Sequence, residues 1–301
     1  MADLPLTEST NAKTADLDLL DTSEILRHIN EEDGKVAMAV ALEIGAIASA
    51  VDAIAARVRI GGKLHYFGAG SSGRTAVLDA AEIPPTFSAK DVVVGHIAGG
   101  ARALTEAVEA SEDDAAAGAA EVDREGISAR DAVVGISASG GAAYVVGALQ
   151  RARDAGALTV ALVNTPDSKI AAAADFAIVV QTGPEVLTGS TRMKAATAQK
   201  LVLNSISTAV MVKLGKVHGN LMVDLHASNK KLRARAQRMV MMLSGASADV
   251  ASAALEANEW HVKPAVVQIV SGVRTPEQAA EILAAAGGNL RAVLERYPRQ
   301  E

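Results

Sequence analysis

Two short segments concentrate glycine amides and serine hydroxyls, groups with which a chain can hold an anion without a basic patch. They are Gly68-Ala69-Gly70-Ser71-Ser72-Gly73 and Ser137-Ala138-Ser139-Gly140-Gly141. Each follows an apolar run and precedes an Ala-rich stretch, so each reads as a turn from a strand into a helix. Free N–H groups at a helix N-terminus, flanked by hydroxyls, make a cradle for one phosphate group. The first segment also matches the glycine pattern of a dinucleotide site, which needs an acidic residue at the end of the next strand to hold a ribose. The run at 91–100 (DVVVGHIAGG) ends without one, which favours a single phosphate; a purely structural turn is the alternative. The candidate anion contacts are therefore Ser71, Ser72 and Gly73, with Ser137, Ser139 and Gly140. A third segment, Thr188-Gly189-Ser190-Thr191, precedes Arg192, Met193 and Lys194; Ser190 and Thr191 either cap a helix or join the ligand shell.

No cysteine occurs among the 301 residues, so thiol nucleophiles and thiolate metal sites are excluded and carboxylates become the acid–base candidates. Glu82 precedes Ile83-Pro84-Pro85. A residue ahead of proline resists the α region, so a helix is expected to stop there and hold the carboxylate at a rigid turn. The plain alternative is a solvated helix end. Glu112 lies in Glu109-Ala110-Ser111-Glu112-Asp113-Asp114, where the charge equally fits simple exposure to solvent. Glu185 and Lys194 are further candidates to touch a ligand, and Arg74 follows the first loop as an anion partner or a surface ion-pair residue. The six histidines (28, 65, 96, 218, 226 and 261) show no ligand spacing such as H-E-x-x-H, so no metal site is expected.

Strand-like runs at 63–67, 91–96, 132–137, 158–164 and 176–181 must carry these loops. They are continuously apolar rather than alternating, and Ala-rich segments at 74–82, 101–110, 113–124, 143–155 and 168–174 separate them. That pattern predicts an α/β fold, a parallel sheet with helices on both faces. Ahead of it, Ser23 is expected to cap a helix through Asp33, and 35–59 reads as one long amphipathic helix. A further helix is expected over 191–215, and the basic run at 228–238 (SNKKLRARAQR) reads as the solvated face of another. From Gly245 onward strand signals vanish, save 265–270 (AVVQIV), which fits a buried helix equally well. The expected organisation is N-terminal helices over 1–60, an α/β domain over 61–243 and a small all-α unit over 244–301.

Charge and composition narrow the partners. Lys plus Arg total 29 against 35 for Asp plus Glu, a net charge of −6, and one Trp, three Tyr and three Phe leave few rings. Neither a phosphate-tracking basic face nor a base-stacking platform is available, so no nucleic acid partner is expected. No apolar run reaches the length of a membrane span and the first residues lack a basic, then apolar, leader, so a cytoplasmic protein without a membrane partner is expected.

The two serine loops resemble those of a sugar isomerase (SIS) domain. Longer strings narrow the resemblance: YFGAGSSGRTAVLDAAEIPPTF (66–87), HIAGGARALTEAVEASEDD (96–114), TGSTRMKAATAQKLVLNSIS (188–207) and GKVHGNLMVDLHASNKKL (215–232). Together they resemble the N-acetylmuramic acid 6-phosphate etherases, over nearly the whole chain. The resemblance implies an SIS-type five-stranded parallel sheet flanked by helices, a small helical C-terminal unit, a homodimer, and no metal or organic cofactor. It implies conversion of N-acetylmuramate 6-phosphate to N-acetylglucosamine 6-phosphate and D-lactate, with Glu82 and Glu112 as the acid/base pair and the sugar phosphate as ligand. Arg74 would then face the lactyl carboxylate or the surface. Two departures stand out: Gly141-Ala142-Ala143 replaces the family's Arg-Thr-Pro, and Ala195-Ala196 its Ala-Gly. A non-catalytic sensor akin to the glucokinase regulatory protein and an aldose–ketose isomerase are the alternatives; a sensor needs the loops but not the carboxylate pair.

Overall fold

Strands with apolar side chains on both faces can be covered only by helices on both faces, and the sheet is built that way. In the computed structural model, which describes residues 5–225, 227 and 230–298, the strands are β1 (Leu64–Gly68), β2 (Val93–Ile97), β3 (Ala132–Ser137), β4 (Leu158–Val163) and β5 (Phe176–Val179). His226, one of the six histidines, lies outside the described residues. All four pairings are parallel, in the order β2-β1-β3-β4-β5, and β1, β3 and β4 are buried throughout. The chain leaves β1 toward β2 and returns on the other side to β3, so direction reverses between β1 and β3. Open α/β sheets bind ligands at the carboxyl ends flanking such a reversal. Gly68 pairs with Ile136 in register, which sets the ends of β1 and β3, and both serine loops, side by side.

One face carries Phe67, Val133, Ala161 and Val163 under α5 (Ala115–Arg124) and α6 (Ala143–Asp154), with Val122, Val145 and Leu149 filling the layer. The other face takes the alternate residues, including Tyr66, Val134 and Ile136, all fully buried. There α3 (Ile44–Arg59) packs on β3, β4 and β5. On the same side, α4 (Gly70–Phe87) is tied to α8 (Lys194–Lys213) by Asp79, whose carboxylate accepts from Asn204 Nδ2 at 2.6 Å and Ser207 Oγ at 3.2 Å. Burial pushes the Asp79 carboxyl above its ordinary range, against the pull of Asn204 and Ser207.

Four expectations need correction. The first helix, α1 (Thr22–Asp33), is capped by Asp21 in a reciprocal box with Glu24, not by Ser23. The span 35–59 is two helices, α2 (Val36–Leu42) and α3, broken at Glu43, where the helical stretch Thr22–Leu42 meets α3 at 58°. The span 101–110 holds two short 3₁₀ turns, Gly100–Leu104 and Glu109–Asp113, rather than an α-helix. Most instructive, α4 does not stop at Glu82 but runs through Pro84 and Pro85. Proline removes the i→i−4 donor, so Ala80 and Ala81 lose their helical partners. Ile83 and Phe87, one turn apart, are both buried and hold the helix on course while the two prolines face solvent.

The chain divides into two compact units: one of residues up to Ala81 with Asp91–Val210, the other of Glu82–Lys90 with everything from Met211. The second contains α9 (Lys230–Ser244), α10 (Ala248–Ala257), α11 (Val262–Ser271), α12 (Pro276–Ala285) and α13 (Leu290–Arg296), with no strand among its described residues. The ambiguous run at 265–270 is helix. The second unit's core joins Val240, Leu255, Val266, Ala279 and Val293. Buried Lys263 pins its loops by donating to the Gly215 and Gly288 carbonyls at 2.8 and 2.9 Å. Among the described residues of the chain, no single helix is long and apolar enough to cross a membrane.

Candidate active site

The first loop is shaped by close backbone approach. A Cβ on Gly68 would fall 2.6 Å from the Gly73 nitrogen, and one on Gly73 would fall 2.7 Å from the Gly68 oxygen. Without side chains, α4 begins only two residues beyond the strand. In its first turn the Gly73 amide donates to the Ala69 carbonyl at 3.2 Å, and the amides of residues 70–72 ahead of it, which have no partner within the helix, are the ones open to an anion. Ser71 and Ser72 stand on that turn. In the second loop the hydroxyls shape the turn themselves: Ser137 Oγ accepts from the Gly140 amide at 3.1 Å and Ser139 Oγ from Gly141 at 3.3 Å. Gly140 has φ +68°, and a Cβ there would lie 2.2 Å from the Ser168 Cβ.

A cavity of about 270 Å³ opens where the loops meet. Ser71, Ser72, Ser137, Ser139, Thr191 and Glu112 line it together, and so does Glu8, from the 3₁₀ turn Leu6–Glu8. Glu112 sits on the second of the two 3₁₀ turns beyond β2. Burial, and then the neighbouring Asp113 charge, raise its pKa above the ordinary carboxylate value. A carboxyl tuned upward exchanges protons more readily near neutral pH.

The remaining candidates sit around this cavity or apart from it. Gly73 and Gly140 are structural parts of the loops. Arg74 donates from Nε to the Leu104 carbonyl at 3.2 Å and from Nη2 to the Glu106 carbonyl at 2.7 Å, bracing the segment that leads to Glu112. Glu185 is buried and caps α8, accepting from the Lys194 and Ala195 amides, both at 3.0 Å. The cap is thus this carboxylate rather than Ser190 or Thr191. Lys194 is also buried, its Nζ donating to Glu32 at 2.6 Å. Burial would raise the Glu32 pKa, but Lys194 and Lys35 together hold it down at about 2. Glu82 is exposed on α4, belongs to the second unit, and is not among the residues lining the cavity.

The parallel register also unites two histidines that sequence spacing keeps apart. His65 Nδ1 and His96 Nε2 are 3.0 Å apart, and His96 Nδ1 meets Glu121 Oε1 at 3.2 Å. Burial, reinforced by the charge of His96, lowers the His65 pKa to about 4. Among the described residues, His65, His96 and Glu125 bring ligand atoms within 4.8 Å of one another, close enough for a shared ion.

A reversal-point crevice with two serine loops defines a phosphosugar-type α/β protein. In agreement, residues 115–209 match the SIS domain model and residues 46–153 match that of the glucokinase regulatory protein N-terminal SIS domain. A phosphoheptose isomerase from Francisella tularensis shares the fold, with a TM-score of 0.50 over 64% of this chain and all of that one, at 18% identity. Relatives are nearer in sequence. An N-acetylmuramic acid 6-phosphate etherase of Streptomyces coelicolor is 50% identical over 289 residues, 96% of this chain and 93% of that protein. One of Symbiobacterium thermophilum is 52% identical over 269 residues, 89% of each. The chain belongs to the N-acetylmuramic acid 6-phosphate etherase family.

Proposed function

We propose that this enzyme cleaves the D-lactyl ether of N-acetylmuramic acid 6-phosphate, a carbon–oxygen lyase reaction giving N-acetylglucosamine 6-phosphate and D-lactate. The observation that carries the reading is 50% identity along 96% of the chain to a protein of that name. A cavity combining two hydroxyl loops with a carboxyl of raised pKa supports it.

An ether oxygen is a poor leaving group, so direct displacement at C3 is unattractive. In the open-chain sugar, C1 is an aldehyde and the C2 proton is acidified beside it. Glu112 takes that proton, the C2–H pair forms a C2=C3 double bond, and the C3–O bond breaks toward the lactyl oxygen. The acid that protonates that oxygen is, by resemblance to the family, Glu82, which does not line the cavity described above. Water then adds to C3 as a proton returns to C2, and the two carboxyls exchange protonation states. Ser71, Ser72, Ser137 and Ser139, with the amides of the first turns of α4 and α6, hold the 6-phosphate. An anion site of neutral donors suits a chain of net charge −6. Thr191 lines the wall beside it, just ahead of the helix that Glu185 caps. A homodimer fits the apolar side chains exposed on the N-terminal helices, Met38, Leu42 and Ile44 among them.

Incubation with N-acetylmuramate 6-phosphate in deuterated water is expected to release D-lactate and to place deuterium at C2 of the product. No lactate beyond that of a Glu82→Gln, Glu112→Gln double variant would overturn the reading. The match to the glucokinase regulatory protein domain favours a second reading, a sugar-phosphate sensor. A sensor would bind the product sugar phosphate and release no lactate.

A further inference from the structure

The chemistry above begins from the open-chain sugar, whereas a hexosamine phosphate in solution is almost wholly a closed ring. Some group must therefore move a proton between the anomeric hydroxyl and the ring oxygen. The residues lining the cavity include two titratable side chains, Glu112 and Glu8. Glu112 is committed to C2. Resting on the etherase reading of this site, we propose that Glu8 is a further catalytic residue, the one that opens the sugar ring.

The N-terminal segment is built to present this side chain. Glu8 ends a 3₁₀ turn whose backbone closes through the Glu8 amide and the Pro5 carbonyl at 2.8 Å. Its neighbour Thr7 is buried, which fixes the turn against the body of the unit. Six residues on, Thr14 Oγ1 donates to the Val186 carbonyl at 2.8 Å, buried, tying the segment to the chain that leads to Thr191. Space for the carboxylate is supplied by Gly189, at φ +75°, where a Cβ would stand 3.1 Å from a Glu8 oxygen. Glu8 is thus exposed to solvent and at the same time lines the cavity that holds Glu112 and the serine hydroxyls, within reach of a ligand bound there.

The step balances on one carboxylate. One oxygen of Glu8 takes the proton from the C1 hydroxyl, the O–H pair becomes the C1=O bond, and the C1–O5 pair leaves with O5. The ring oxygen takes the proton from Glu8, which ends as it began. The two oxygens of a carboxylate share one carbon, as O1 and O5 share C1, so a single group spans both positions.

The test follows a reaction that needs ring opening but no ether. The α and β anomers of N-acetylglucosamine 6-phosphate interconvert only through the open chain, and exchange NMR reads the rate directly. The wild-type enzyme is expected to accelerate this exchange about 100-fold, the order that a positioned acid–base group supplies. Glu8→Gln is expected to abolish that acceleration and to lower kcat for lactate release more than it changes KM, with its melting temperature unaltered. Glu8→Asp should recover part of the rate, and added formate should do the same for Glu8→Ala. Anomer exchange at the wild-type rate in Glu8→Gln, or no acceleration by the wild type, overturns the proposal. Failure of the etherase reading shows separately, as absence of lactate from the ether substrate with the wild type.

Discussion

The two serine loops share composition and position, yet they are held in different ways. In the first, glycines let the backbone of α4 press on the end of β1, and the serines ride on the helix without shaping it. In the second, Ser137 and Ser139 accept from the loop's own amides and keep its form. A hydroxyl that accepts from the loop still has its own proton to give to a phosphate, so the second loop's serines serve structure and ligand at once. The first loop separates these tasks. Two loops that look alike as sequence should therefore answer mutation differently.

The largest expected effect comes from what the loops share. Glu112→Gln should lower kcat for lactate release about 10³-fold, roughly 4 kcal/mol, while leaving phosphate affinity nearly intact, as steady-state kinetics and product-binding calorimetry would show. A comparable loss of affinity would mean that Glu112 shapes the cradle instead. Gly140→Ala comes next. Left-handed φ and a Cβ driven into Ser168 should destabilise the protein by about 3 kcal/mol, read as a lowered denaturation midpoint. Ser137→Ala should raise KM about tenfold and also reduce stability by about 1 kcal/mol, because it leaves the Gly140 amide without its acceptor. Ser71→Ala should raise KM with stability within about 0.5 kcal/mol of wild type. Equal stability losses in these two variants would erase the distinction between the loops.

The smallest effect concerns pH. With Glu112 as base, kcat/KM should fall as pH drops through its raised pKa, placing the acid limb above the ordinary carboxylate range. Asp113 contributes to that rise by repelling the ionised form. Asp113→Asn should therefore slide the limb to lower pH, by a few tenths of a unit. Movement in the opposite direction would assign Glu112 a different role in the rate.

Much of this was legible from the sequence because burial on both faces leaves a strong mark. The five strands follow from runs such as those at 132–137 and 158–163, and α5 and α6 from the Ala-rich segments between them. The glycines of the first loop were equally readable, since their spacing records a backbone contact. What escaped depended on distant packing. Two buried side chains carry α4 past a double proline that local rules treat as a stop. Glu185 and Lys194 are legible only as charged candidates near a loop; their partners, the amide pair at the start of α8 and Glu32, are set by tertiary structure. Glu8 carries no local signal at all; an acidic residue in a polar tail acquires meaning only when the fold lays the tail beside the cavity.

The bend at Glu43 has a further consequence. β5 is an edge strand, and its outward Val179 amide would be free to pair with any extended chain. The Glu43 carboxylate accepts that amide at 3.4 Å. A charge set against an outward amide discourages the addition of another strand. The interruption between α2 and α3 thus blunts the β5 edge, one of the sheet's two edges, against pairing with another chain.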